Sequence, residues 1–125
     1  MLTFICHPRC TTCRRARDFL DARGIEYVIR DISAENPSRT ELEKWLGMSG
    51  RDVKKAFNTS GQQYRALGLK DRLKEMSAEA ALELLATDGM LVKRPVLVGD
   101  GFALFGFKEA EWISALEEQT PENRT

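Results

Sequence analysis

The chain has little of several things that would decide its class at once. It holds one histidine, two tryptophans, two tyrosines and four prolines in 125 residues. Its 19 basic and 19 acidic residues leave no net charge. A general nucleic-acid binder carries a basic field, so direct contact with nucleic acid is not expected. No apolar run approaches the ~20 residues of a membrane span, so no membrane partner is expected either. A secretory leader has a charged start and then about 7–15 apolar residues. Here "MLTFI" gives way at once to "CHPRC", and a cytoplasmic location is expected. In that reducing compartment paired cysteines serve catalysis, redox sensing or metal binding more often than stapling. Internal repeats and low-complexity linkers are absent. The length suits one domain, residues 1–125, that buries about two-thirds of its unfolded surface without disulfides. A monomer is expected.

The segments that are present alternate in type. "LTFIC", 2–6, is short, apolar and β-rich, and predicts a buried first strand. From Thr11 to Ala22 the apolar Ala16, Phe19, Leu20 and Ala22 recur at helical spacings among Arg14, Arg15, Arg17 and Asp18, and Gly24 follows as a stop. "IEYVIRDI", 25–32, predicts a second strand, which makes a strand–helix–strand unit of about thirty residues. Ser38 with Glu41 three residues later is a capping-box signature. Beyond it, glycine and serine breakers predict several short helices over a helical block of about 38–88. Its last member is "SAEAALELLATDG", capped near Ser77 and stopped at Gly89. Two short strands, about 95–98 and 102–105, are joined by Gly-Asp-Gly. "KEAEWISALEEQ", 108–119, predicts a closing helix, and "TPENRT" a frayed tail. The fold class is α/β.

All three cysteines lie within the first 13 residues, next to the lone histidine, His7. Cys10 stands where the strand has ended and the helix begins, at or near the N-cap. The unpaired amides and positive dipole end there favour a thiolate. Arg9, Arg14 and Arg17 add positive charge nearby. Cys13 is one turn further on the same side, where it can attack an adduct formed on Cys10. The positions make Cys10 the nucleophile and Cys13 the resolving thiol. Thr12, Arg14 and Arg15 around Cys13 predict that it lies outside the core. Cys6 ends an apolar strand and reads as a core residue. His7 reads as a solvated loop residue or as a neighbour that tunes the thiol.

Metal binding is the sharper competitor. Cys6, Cys10 and Cys13 form C-x3-C-x2-C, a spacing similar to the cluster-binding triplet of radical S-adenosylmethionine enzymes. That site needs a much longer barrel than this chain can supply. A closed zinc site from Cys6, His7, Cys10 and Cys13 would lack the usual second CxxC or HxxxH. No metal is assigned.

Three stretches in order carry a resemblance: "CTTCRRA" on the first helix, "NTSGQQYR" mid-chain and "KRPVLV" leading a late strand. Together they resemble the ArsC/Spx family, the thioredoxin-like group of arsenate reductase homologues and redox-sensing regulators. The resemblance implies a thioredoxin-like mixed four-stranded sheet with an all-helical insertion between strands 2 and 3. It implies that Pro95 is a cis-proline facing the thiol and that Arg94 is an anion contact beside it. Guanidinium groups recognise oxyanions and carboxylates in bidentate fashion, which supports Arg94 independently. Arg9, Thr11 and Thr12 complete the expected substrate-binding set.

Related sequences have "NTRG" where this chain has Asn58-Thr59-Ser60-Gly61, and dedicated reductases place another arginine where Gly106-Phe107-Lys108 stands here. With its retained CxxC the chain more closely resembles the Spx/MgsR-like and uncharacterised reductase-like branch. The implied substrate is a small oxyanion or a disulfide, with no bound cofactor and with glutathione or a thioredoxin or glutaredoxin system as electron donor. The alternative is an Spx-like redox switch using a Cys10–Cys13 disulfide, with RNA polymerase as the partner.

Overall fold

A computed structural model describes residues 2–117. The expected tail, 120–125, and the last two residues of the expected closing helix lie outside the described residues. The four strands are β1 (Leu2–Cys6), β2 (Tyr27–Asp31), β3 (Val96–Gly99) and β4 (Phe102–Phe105). They form one mixed sheet in the order β2-β1-β3-β4. β1 runs parallel to β2 and antiparallel to β3, and β3 is antiparallel to β4. The α/β class and the mixed four-stranded sheet are as the sequence predicts.

Strand alternation divides the interior in two. Phe4, Cys6, Leu97, Phe102 and Leu104 face one side of the sheet, and Ile5, Val96, Ala103 and Phe105 face the other. The two middle strands are therefore covered on both faces, which is why they read as continuous apolar runs. On the first side lie α1 (Thr11–Ala22) and α6 (Glu109–Glu117), around the fully buried Trp112. On the other lie the helices between β2 and β3. These are α2 (Arg39–Ser49), α3 (Gln62–Ala66), α4 (Leu69–Arg72) and α5 (Ala78–Leu85), with short 3₁₀ turns between them. No strand runs through 49–75; the region contributes one isolated bridge, Phe57 to Val92.

The helix starts follow local chemistry. Ser38 accepts from the Glu41 amide at 3.1 Å while the Glu41 carboxylate takes the Ser38 amide at 3.0 Å, closing the capping box. Arg30 reaches from β2 to the same carboxylate with two contacts, 2.7 and 2.9 Å, and so ties the insertion to the sheet edge. Ser77 caps α5 by accepting from the Ala80 amide.

Four boundaries and faces differ from the expected ones. β2 starts at Tyr27 rather than Ile25, because the Ile25 amide is still bonded to the Leu20 carbonyl at the helix exit. β3 begins one residue later than expected, at Val96. Ala22 is exposed; the buried stripe of α1 is Cys13, Ala16, Phe19 and Leu20. Gly89 does not stop α5, which ends at Leu85. Instead it opens a 3₁₀ turn capped by Asp88, and a Cβ there would lie 2.5 Å from the Ile32 carbonyl oxygen. Glycine is needed at that point because two backbones meet.

Candidate thiol site

β1 delivers the chain to Cys6, and the loop His7–Arg9 then turns it into α1. The Cys10 amide donates to the His7 carbonyl at 3.1 Å, and the Arg9 amide to His7 Nδ1 at 3.2 Å. His7 thus shapes the turn that sets Cys10 in place. Cys10 is the N-cap of α1, with extended backbone, and its Sγ accepts from the Cys13 amide at 3.3 Å. A sulfur at this position meets the unpaired amides of the first turn. The Cys10 thiol is lowered to about 6: the Cys13 side-chain hydrogen bond contributes most, burial opposes it, and the Cys13 amide, the Arg94 charge and the Thr12 amide add to it. It is half-buried.

Cys13 behaves in the opposite way. Its thiol is pushed far up, first by donating to Cys10, then by donating to Cys6, then by burial. The expectation that Cys13 lies outside the core is corrected: it is 3% exposed. The charged neighbours Arg14 and Arg15 point outward, while Cys13 joins Ala16 and Leu20 on the stripe three and seven residues apart that faces the sheet. Cys6 is buried beside it, and its thiol is lowered, chiefly by the Cys13 hydrogen bond. The three cysteines are free thiols. Among the described residues, no three Cys, His, Asp or Glu side chains converge to hold a metal.

Cys10 opens onto a cleft of about 680 Å³. Its walls include His7 and Arg9 from the loop, Thr11 and Thr12 from the first turn of α1, Asn58–Gln63 from the insertion, Met90, Lys93 and Arg94 before β3, and Phe105–Lys108 from the last residue of β4 onward. Arg9, Cys10, Thr11, Thr12 and Arg94 thus line one space, with Cys13 beneath it. The Arg94–Pro95 peptide is cis. Arg94 donates from one terminal nitrogen to Met90 Sδ at 3.1 Å, and its buried Nε has no partner. Among the described residues, no aspartate or glutamate lines the cleft. Ser60 and Lys108, the positions that depart from the related arginines, both border it. Sequence reasoning did not single out Lys93 and Met90, although Lys93 precedes Arg94 directly.

A mixed four-stranded sheet with a CxxC at the start of its first helix and a cis-proline opening its third strand defines a thioredoxin-like protein. Residues 6–115 match the ArsC family, and the chain belongs to it. The uncharacterized protein YusI of Bacillus subtilis is 46% identical over 111 residues, 89% of this chain and 94% of that protein. The regulatory protein MgsR of Bacillus subtilis is 31% identical, over 95% of this chain and 93% of its own. Among solved structures, one from Streptococcus mutans described as a possible arsenate reductase is 47% identical. It superposes with a TM-score of 0.81, covering 91% of this chain and 98% of that one.

Proposed function

We propose that this protein is a thiol-dependent oxidoreductase in which Cys10 is the nucleophile and Cys13 the resolving thiol. One observation carries the reading: the Cys10 sulfur sits on the first amides of α1, its thiol lowered to about 6, in a cleft lined by cations and, among the described residues, by no carboxylates. At neutral pH such a thiol is mostly ionised, and the thiolate is the attacking species.

With a disulfide substrate, two exchanges follow one another. Cys10 attacks one sulfur, a Cys10–substrate disulfide forms, and the other half leaves as a thiolate that takes up a proton. The hydrogen bond to Cys10, the largest of the causes that raise the Cys13 thiol, weakens once the Cys10 sulfur no longer carries charge. Cys13 then loses its proton, attacks Cys10 Sγ and releases the second half as a thiol. The substrate gains two electrons and the protein is left with a Cys10–Cys13 disulfide. Glutathione or a thioredoxin-type donor restores the two thiols by the same exchange. Arg94, with its unpartnered Nε, holds the anionic part of the substrate or the departing thiolate.

A second reading, a redox switch, is supported by the similarity to the regulatory protein MgsR. In that role the same disulfide would alter a contact with the transcription machinery rather than turn over. Incubating the purified protein with arsenate, a disulfide or a glutathione mixed disulfide, each with glutathione or thioredoxin, separates the two. Continuous turnover that is lost on Cys10→Ser supports the oxidoreductase. A single oxidation with no turnover on any substrate favours the switch.

A further inference from the structure

The cleft is far larger than a single tetrahedral oxyanion requires, and its volume of about 680 Å³ suits an extended small molecule. Arg94 accounts for the end at Cys10. At the wall formed by Gly106 stands a second group of cations, Lys93 with Arg51 and Lys108. Lys93 is half-buried and lies across Gly106: a Cβ on that glycine would be 2.8 Å from Lys93 Cε and 3.4 Å from its Cδ. Gly106 has φ +80°, and its carbonyl oxygen accepts from Trp112 Nε1 at 3.0 Å, so the bare backbone under the lysine is held in place.

The two charges that act on Lys93 are both positive. Its ammonium is pushed down by burial, then by Arg51, then by Lys108. Arg51 cannot swing away freely, since it donates to the Lys55 carbonyl at 3.1 Å and the Phe105 carbonyl at 3.2 Å. Lys93 and Arg51 are half-buried and Lys108 is exposed, and such like charges repel one another until an anion enters. Nothing among the cleft-lining residues supplies one.

We propose that Lys93, with Lys108, forms a carboxylate subsite. The substrate is then a disulfide whose thiol half bears a carboxylate, with its sulfur at Cys10 and its charged end over Gly106. This rests on the reading of Cys10 as a disulfide-attacking thiolate, and it uses the exchange written above, with no further reactant. Gly106 is part of the subsite because any side chain there would displace the lysine.

Three disulfides of similar length and different charge test it: dithiodipropionate with two carboxylates, hydroxyethyl disulfide with none, and cystamine with two ammonium groups. The readout is the rate at which each modifies Cys10, followed by intact mass at low salt. In the full wild-type chain, dithiodipropionate should react about ten-fold faster than the neutral disulfide, and cystamine more slowly. Lys93→Gln should cut the preference for the dianion over the neutral disulfide by about five-fold, and Lys93→Arg should retain most of it. An equal loss with all three disulfides, or no charge preference in the wild type, overturns the subsite. If none of the three modifies Cys10 in the wild type, the reading of Cys10 fails, and the subsite with it.

Discussion

The two faces of the sheet are built from different materials. On the insertion side Ile5, Val96 and Phe105 meet leucines from α2, α4 and α5, with Trp45 and Phe57, and no buried side chain there carries a reactive group. On the other side the packing is aromatic. Trp112 stands edge-on to Phe4, Phe19 and Phe107, with ring centroids 6.3, 6.2 and 5.0 Å away, and two buried thiols lie in the same cluster. The aromatic side also reaches the cleft directly, through Phe107 and through the Trp112 bond to the Gly106 carbonyl. The insertion side supplies bulk and a cleft wall; the aromatic side sets the geometry of the thiols.

The strongest way to break that division is to damage each face and watch Cys10. Trp112→Ala removes a fully buried indole and should cost about 3–5 kcal/mol in urea denaturation. Under native conditions it should also slow the reaction of Cys10 with the dianionic disulfide, since the Gly106 backbone loses its tether. Leu85→Ala, at a site 1% exposed on the insertion side, should cost about 2–5 kcal/mol yet leave the Cys10 alkylation rate unchanged. If both variants change that rate equally, the faces are not functionally distinct.

The next effect is on pH. Alkylation of Cys10 should rise with a midpoint near 6, where an ordinary thiol titrates near 9.0. The folded state binds fewer protons at Cys10 than the unfolded state does in that window, so this group's contribution to stability grows as pH rises from about 6 toward 9.0. It is lost as pH falls through about 6. Cys10→Ser should remove this slope and abolish the reaction, whereas Cys13→Ser should trap the first mixed disulfide. A midpoint near that of a free thiol in the wild type would contradict the N-cap account.

A smaller effect sharpens the other face. Glu41 holds both the α2 cap and Arg30, and the Arg30 guanidinium lowers its carboxyl to about 2 from 4.5. Its contribution is present above pH 4.5 and lost as pH falls through about 2. Glu41→Gln should cost about 1 kcal/mol at neutral pH and flatten acid denaturation measured by circular dichroism. Cys10 should react as before.

Much of this was legible in the chain. Short apolar runs bounded by turn residues define β1, β3 and β4, the Ser38–Glu41 spacing defines the start of α2, and the strand-to-helix junction identifies Cys10 as a cap. What escaped was non-local. Cys13 has charged neighbours in sequence, and only the helical repeat with Ala16 and Leu20 shows that it turns inward. Along the chain Gly89 looks like a local helix stop, but its constraint is a carbonyl from residue 32. Lys93 acquires meaning only because β4 brings Gly106 beneath it. No pattern along the chain records such an approach.

The smallest expected effect concerns Cys6, the cysteine that sequence reasoning left in the core. Cys13 has a single S–H proton and two sulfur neighbours, so Cys6 and Cys10 compete for one hydrogen bond. Cys6→Ala leaves Cys10 as the only acceptor and removes a repulsive neighbour, since charge on Cys6 and charge on Cys10 oppose each other. Both changes favour the Cys10 thiolate. The alkylation midpoint of Cys10 should therefore move down, by less than about half a pH unit, with a stability loss of about 1 kcal/mol for the small void. A midpoint that moves up would mean that Cys6 supports the thiolate rather than competing with it. A Cys6–Cys13 disulfide in peptide maps of the oxidised wild type would make Cys6 a working thiol. That disulfide would give the aromatic face three redox groups instead of two, and the contrast with the hydrocarbon face would be sharper still.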